Sequence, residues 1–66
     1  MTKLIYFKDN DGNEQLINLD SICHVHYLTV KNSLAIFTNS GTEIVLTGQI
    51  AEKLLMLFKA SATFIN

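Results

Sequence analysis

The 66-residue sequence has no proline, no tryptophan, no arginine and only one cysteine. One cysteine excludes an internal disulfide, and a lone thiol without an export signal is typical of a reducing cytoplasm. Proteins that read nucleic acids usually carry a basic surplus and use arginine for bidentate contacts. Here the five lysines are scattered and the formal net charge is −1. The composition therefore disfavours nucleic-acid binding and predicts a cytoplasmic location.

Long hydrophobic runs are also missing, so neither a signal peptide nor a membrane span is predicted. Nevertheless, 48% of the residues are hydrophobic and only 17% are charged. A chain of this length buries only about 60% of the surface that its unfolded form exposes, and small domains often need a metal or a partner chain for stability. We expect a single domain over residues 1–66, with excess apolar surface at an interface between copies.

Short apolar segments separated by turn signals predict a small antiparallel β-meander of four to five strands within residues 3–46. Asp11-Gly12, Lys31-Asn32 and Gly41 mark turns, and Asp20-Ser21 is expected to break or bulge the chain. The predicted strands are LIYFK, EQLINL, ICHVHYLTV, SLAIFT and TEIVLT.

Strong helix formers fill the segment from Gln49 to Ala62. Thr47 stands where an N-cap residue would stand, although no acidic residue completes a capping box. The segment predicts one C-terminal α-helix, over residues 48–62, packed on the sheet. The fold class is therefore α+β.

Apolar residues on the predicted helix form two neighbouring rows, a wider apolar arc than one sheet face requires. The first row is Ile50, Leu54, Leu57 and Phe64, interrupted by Ser61, and one such row is enough to cover the chain's own sheet. The second row and the apolar residues after the helix are expected to contact a second copy, in a dimer with two-fold symmetry. The predicted interface residues are Ala51, Leu55, Phe58, Ala62, Phe64 and Ile65.

The segment SICHVHYLTV carries the side chains best suited to chemistry. In a strand, His24 and His26 share one face with Ile22, while Cys23 lies on the opposite face with Val25. A histidine pair falls short of the three or four ligands of a zinc site, so we predict no metal and no cofactor. Cys23 is expected to be a small buried residue rather than a nucleophile.

No other segment carries a recognisable catalytic or ion-binding pattern. There is no glycine-rich phosphate loop and no serine–histidine–aspartate set. In DNDGNE, Gly12 stands fourth from Asp9 rather than sixth, so the segment predicts a hairpin turn and not a calcium loop. The protein is therefore expected not to be an enzyme.

Residues 16–58 resemble two known families in the order of their motifs. They resemble the small flagellar FlbD-like proteins, and six residues of this chain match the motifs of that family. This chain differs in having Ser40 between the asparagine and the glycine of the compact Asn-Gly turn. They also resemble the core of LytTR-type DNA-binding domains, where His24 stands at the tyrosine position and the DNA-contacting basic residues are missing. Neither family implies an enzyme. The residues that match the FlbD-like motifs are Asn18, Asp20, Ile22, Thr38, Asn39 and Gly41.

These observations predict a non-catalytic, cytoplasmic, homo-oligomeric protein-interaction module of bacterial or phage origin, with a regulatory role. Its expected partners are a second copy of itself and an unidentified protein, and no membrane or nucleic acid. One alternative is a LytTR-like DNA-binding transcriptional regulator. Another is a metal-dependent oligomer that binds its metal through His24 and His26.

Overall fold

The computed structural model describes residues 3–65, which form five β-strands, a short 3₁₀ helix and one α-helix. Their order is the predicted one, and the α+β class is confirmed. The predicted domain also includes residues 1, 2 and 66, which lie outside the described range. The elements are β1 (Leu4–Lys8), β2 (Glu14–Asn18), the 3₁₀ helix (Leu19–Ser21), β3 (Ile22–Leu28), β4 (Ser33–Thr38), β5 (Glu43–Thr47) and α1 (Gly48–Ala60).

The strands pair antiparallel with their neighbours along the chain, but they divide into two sheets. One sheet contains β1 and β2, with Ile5 opposite Ile17. The other has the order β3-β4-β5, in which Ile36 of the central strand lies opposite Val25 and Ile44. The meander is therefore interrupted between β2 and β3.

Asn18 causes this interruption. Its side-chain oxygen accepts a hydrogen bond from the backbone N–H of Asp20 at 3.0 Å, and its carbonyl accepts one from the hydroxyl of Ser21 at 2.7 Å. These local bonds replace strand pairing with a turn of 3₁₀ helix. The break expected at Asp20-Ser21 is this turn, and β2 ends one residue before the predicted end.

The hydrophobic core receives side chains from both sheets and from α1. Alternate strand residues point inward, and each fully buried aliphatic side chain stabilises the fold by about 1.5–3 kcal/mol. The core is small, because a chain of this length has little interior. Its buried members are Phe7, Ile17, Leu34, Ile36, Leu46, Ala51 and Leu54.

A β-bulge near the start of β3 corrects the predicted faces of that strand. The register passes from Ile22 opposite Thr38 to His24 opposite Phe37, which leaves Cys23 as an extra residue. Because the extra residue shifts the alternation by one, Ile22 packs against the core instead of lying beside the two histidines. Cys23 is exposed, so the prediction that it is buried is wrong for the same reason.

The start of α1 is held by two asparagines from distant turns. Thr47 is the N-cap residue, as predicted, but its side chain makes no capping hydrogen bond. Asn10 accepts from the N–H of Thr47 at 2.8 Å and donates to its carbonyl at 2.9 Å. The carbonyl of Asn32 accepts from the N–H of Gly48 at 3.3 Å, and its side chain donates to Glu52 at 2.7 Å. Tertiary contacts therefore take the place of a local capping box.

Candidate interaction surfaces

The described residues expose more large hydrophobic side chains than they bury. Most of the exposed ones lie on the outer face of β1 and β2, around the end of β3, and along α1 and the segment that follows it, while Val45 lies on β5. Contiguous exposed apolar surface on a small domain marks a site of interaction. The exposed residues are Leu4, Tyr6, Leu16, Leu28, Val30, Val45, Met56, Leu57, Phe64 and Ile65.

The outer side of the two-stranded sheet carries the first apolar surface, which we call the hairpin face (Leu4, Tyr6 and Leu16). Tyr6 and Leu16 are directly opposite in the register, and Leu4 lies two residues from Tyr6 on the same side. The hydroxyl of Tyr6 donates to Oε1 of Glu14 at 2.9 Å. This bond to a carboxylate raises the pKa of Tyr6.

A groove of about 230 Å³ opens beside the last turn of α1. We call it the α1 groove. It is smaller than the cavities of about 300–1,000 Å³ that hold drug-sized ligands. Seven residues of the described range line it, and five of these are apolar. Its size and lining suit an inserted hydrophobic side chain. The lining residues are Lys3, Ile5, Leu19, Ile22, Leu57, Phe58 and Ser61.

The helix turns a different face toward the core than the one predicted. Ala51 is fully buried and Leu54 nearly so, while Leu55 and Phe58 are half-buried against the same core. Leu57, which we expected to cover the sheet, is 43% exposed. The buried and half-buried residues have the spacing i, i+3, i+4, i+7 of a single amphipathic stripe. Each of the two predicted rows therefore contains only some of the residues that pack on the core.

This arrangement changes what is available to a second copy. Ala51 has no exposed surface, which corrects its assignment to an interface, and Leu55 and Phe58 serve mainly the chain's own core. Ala62 is exposed, and Phe64 and Ile65 are 85% and 89% exposed. Of the predicted interface residues, those after the helix are therefore the most exposed.

The histidine pair lies on the outer face of the three-stranded sheet. His24 and His26 are both exposed, with ring centroids 6.2 Å apart, and the His24 ring lies 5.7 Å from that of Phe37. Across residues 3–65 there is no group of three histidine, cysteine or acidic residues that could hold a metal. A metal on this pair would therefore need further ligands from another molecule.

The acidic β1–β2 turn is organised around Asp9. One carboxylate oxygen accepts from the N–H groups of Asp11 and Asn13 at 3.0 and 2.9 Å, and the other accepts from the side chain of Gln15 at 3.0 Å. The bond from Gln15, followed by the bond from the Asn13 backbone, lowers the pKa of Asp9. Both oxygens are therefore engaged within the β1–β2 hairpin.

Comparisons of the chain with family models, curated proteins and solved structures find no match. The resemblances to FlbD-like and LytTR-type proteins therefore stay predictions. Within the described range, no helix has both the length and the apolar character needed to cross a membrane. The molecule is a small α+β domain with exposed apolar surfaces, and its function must be argued from those surfaces.

Proposed function

We propose that this protein is a non-catalytic, cytoplasmic interaction module that associates with further copies of itself and with a protein partner. The observation that carries the proposal is the imbalance between a seven-residue core and the larger set of exposed hydrophobic side chains. A core of this size rarely stabilises a fold by more than about 3–5 kcal/mol. Association adds stability by mass action, because only the folded chain can form the complex.

The positions of the exposed side chains support this role. Phe64 and Ile65 are 85% and 89% exposed, and burying each would contribute about 1.5–3 kcal/mol. The hairpin face, on the two-stranded sheet, is a second apolar surface. A chain with two such surfaces can bind its own copy through one and a different protein through the other.

The chemistry of the groove supports a binding role over a catalytic one. Among residues 3–65, Lys3 is the one charged residue that lines it, and Ser61 is the one other polar residue. Cys23 lies outside the groove, and its thiol is 3.5 Å from the backbone carbonyl of Phe37. Among residues 3–65, the groove therefore has no thiol in its lining.

The test is sedimentation or light scattering across a hundredfold dilution series, with thermal melting followed in parallel. We expect a mass that is a multiple of 7.4 kDa at high concentration and a melting temperature that rises with concentration. A mass of 7.4 kDa at every concentration, with a constant melting temperature, would contradict the proposal.

Two additions to the same series examine the alternatives. If His24 and His26 bound a metal between copies, EDTA would lower the mass and the melting temperature, and we expect neither change. If the protein bound DNA, it would be retained on a DNA column in a salt-dependent manner. We expect no such retention from a chain with net charge −1.

A further inference from the structure

The α1 groove and the segment after α1 are complementary parts of the same surface. The groove is lined mainly by apolar side chains, with Leu57, Phe58 and Ser61 supplied by the end of the helix. Directly after Ser61 the chain presents two large apolar side chains to solvent, Phe64 and Ile65. One molecule therefore offers both an apolar groove and an apolar side chain able to fill it.

The backbone at the end of α1 keeps Phe64 from its own groove. The N–H of Ser61 bonds to the carbonyl of Phe58 at 3.2 Å, and that of Ala62 to Lys59 at 3.1 Å. These bonds hold the chain on the helix end through Ala62, leaving only Thr63 before Phe64. Reversing a chain requires a turn of about four residues, and in the structure Phe64 is 85% exposed.

We propose that two copies exchange this segment, so that Phe64 of each copy fills the α1 groove of the other. This inference rests on the proposed self-association and names the site through which it occurs. Each copy gives one side chain and receives one, which is the reciprocity that a two-fold dimer requires. Ile65 then lies against the partner surface beside the groove.

The area that would be buried is consistent with a specific but modest dimer. Two phenylalanine side chains bury about 300–500 Å² together, and the two groove walls lose a smaller area. With Ile65 included, the total approaches the roughly 1,000 Å² that separates biological interfaces from incidental contacts. We therefore expect a dimer that dissociates measurably on dilution.

The experiment uses Phe64→Trp, which places the sole tryptophan of the chain at the inserted position. We expect its emission to shift to shorter wavelength as concentration rises, in step with the increase in mass, because the indole leaves water only in the dimer. Emission typical of a buried indole in the monomer would show insertion into its own groove and overturn the proposal. Solvent-exposed emission in the dimer would also overturn it.

A matched pair of helix variants tests the groove. Leu57→Glu puts a carboxylate in the groove lining and should raise the dimer dissociation constant by about tenfold or more, as loss of a central interface contact does. Met56→Glu, at the adjacent and 71% exposed position outside the lining, should change it by less than about threefold, the effect of a peripheral contact. Equal effects would contradict the inference.

Variants in the segment itself keep the test independent of helix stability. Phe64→Ala should weaken the dimer by about tenfold or more, whereas Thr63→Ala should leave it nearly unchanged, since hot-spot energy concentrates in large buried side chains. If the wild-type protein is a monomer throughout, the proposed function fails. If it dimerises and Phe64→Ala dimerises equally well, segment exchange fails while self-association stands, through another surface such as the hairpin face.

Discussion

Asn10 connects the two sheets, and replacing it should loosen the hairpin from the rest of the fold. Its side-chain amide makes two hydrogen bonds to the backbone of Thr47, at 2.8 and 2.9 Å, across 37 positions of sequence. A typical hydrogen bond contributes about 0.5–1.5 kcal/mol net. Asn10→Ala removes both and should lower the free energy of unfolding by about 1–3 kcal/mol. For a domain of this size, each kcal/mol corresponds to a melting-temperature change of about 4–8 °C.

The assay is urea denaturation at a fixed protein concentration, so that association does not alter the comparison. Asn13→Ala is the control, because it lies in the same turn and is exposed, and no hydrogen bond to its side chain is found among residues 3–65. The control should stay within about 0.5 kcal/mol of wild type, as ordinary surface substitutions do. If Asn10→Ala also stays within that range, the two bonds do not join the sheets in solution.

Cys23 should react with thiol reagents in the native protein at close to the rate of a cysteine in an unstructured peptide, because the bulge exposes it; strong protection would contradict the register described for β3. The pKa of Asp9 is lowered in the folded state, by its bonds to Gln15 and Asn13. Its carboxylate therefore stabilises the fold above the unfolded value of about 3.9, and this contribution is lost as the pH falls through the lower folded pKa. Asp9→Asn should flatten the dependence of stability on pH below about 4 relative to wild type. The same pH dependence in the variant and the wild type would contradict a lowered pKa of Asp9. Leu54→Ala should destabilise the fold by about 2–5 kcal/mol, measured by urea denaturation, whereas Met56→Ala should fall within about 0.5 kcal/mol; similar losses would mean that the helix presents another face to the core.

The positions of the strands and the helix could be predicted because the signals for them are local. β1 and β4 have the predicted bounds, Leu4–Lys8 and Ser33–Thr38, since a short run of apolar residues in each ends at turn-forming residues. Gly12 and Gly41 adopt the positive φ of 84° and 89° that glycine favours in turns. The helix could be predicted for the same reason, because a run of strong helix formers favours an α-helix without contacts from distant segments.

The candidate interaction surfaces could be predicted only in part. That Phe64 and Ile65 would lie outside the core was expected from the apolar excess of a short chain. The sequence does not predict that Leu57 lines a groove, because the groove has walls from β1, the 3₁₀ helix and β3 as well as from α1. No spacing within the helix carries information about walls supplied by other elements.

Tertiary structure decided the features that depend on which segments meet. An alternation of apolar and polar residues cannot reveal an unpaired residue, so the bulge at Cys23 and the true face of Ile22 appear only when β3 is paired with β4. The same applies to the core stripe of α1. The spacing along the helix separates Ala51 and Leu55 from Leu54, and only packing against the core unites the three residues. No sequence pattern indicates the role of Asn10. Its side chain forms hydrogen bonds with a backbone 37 residues away, and only the folded chain brings the two together.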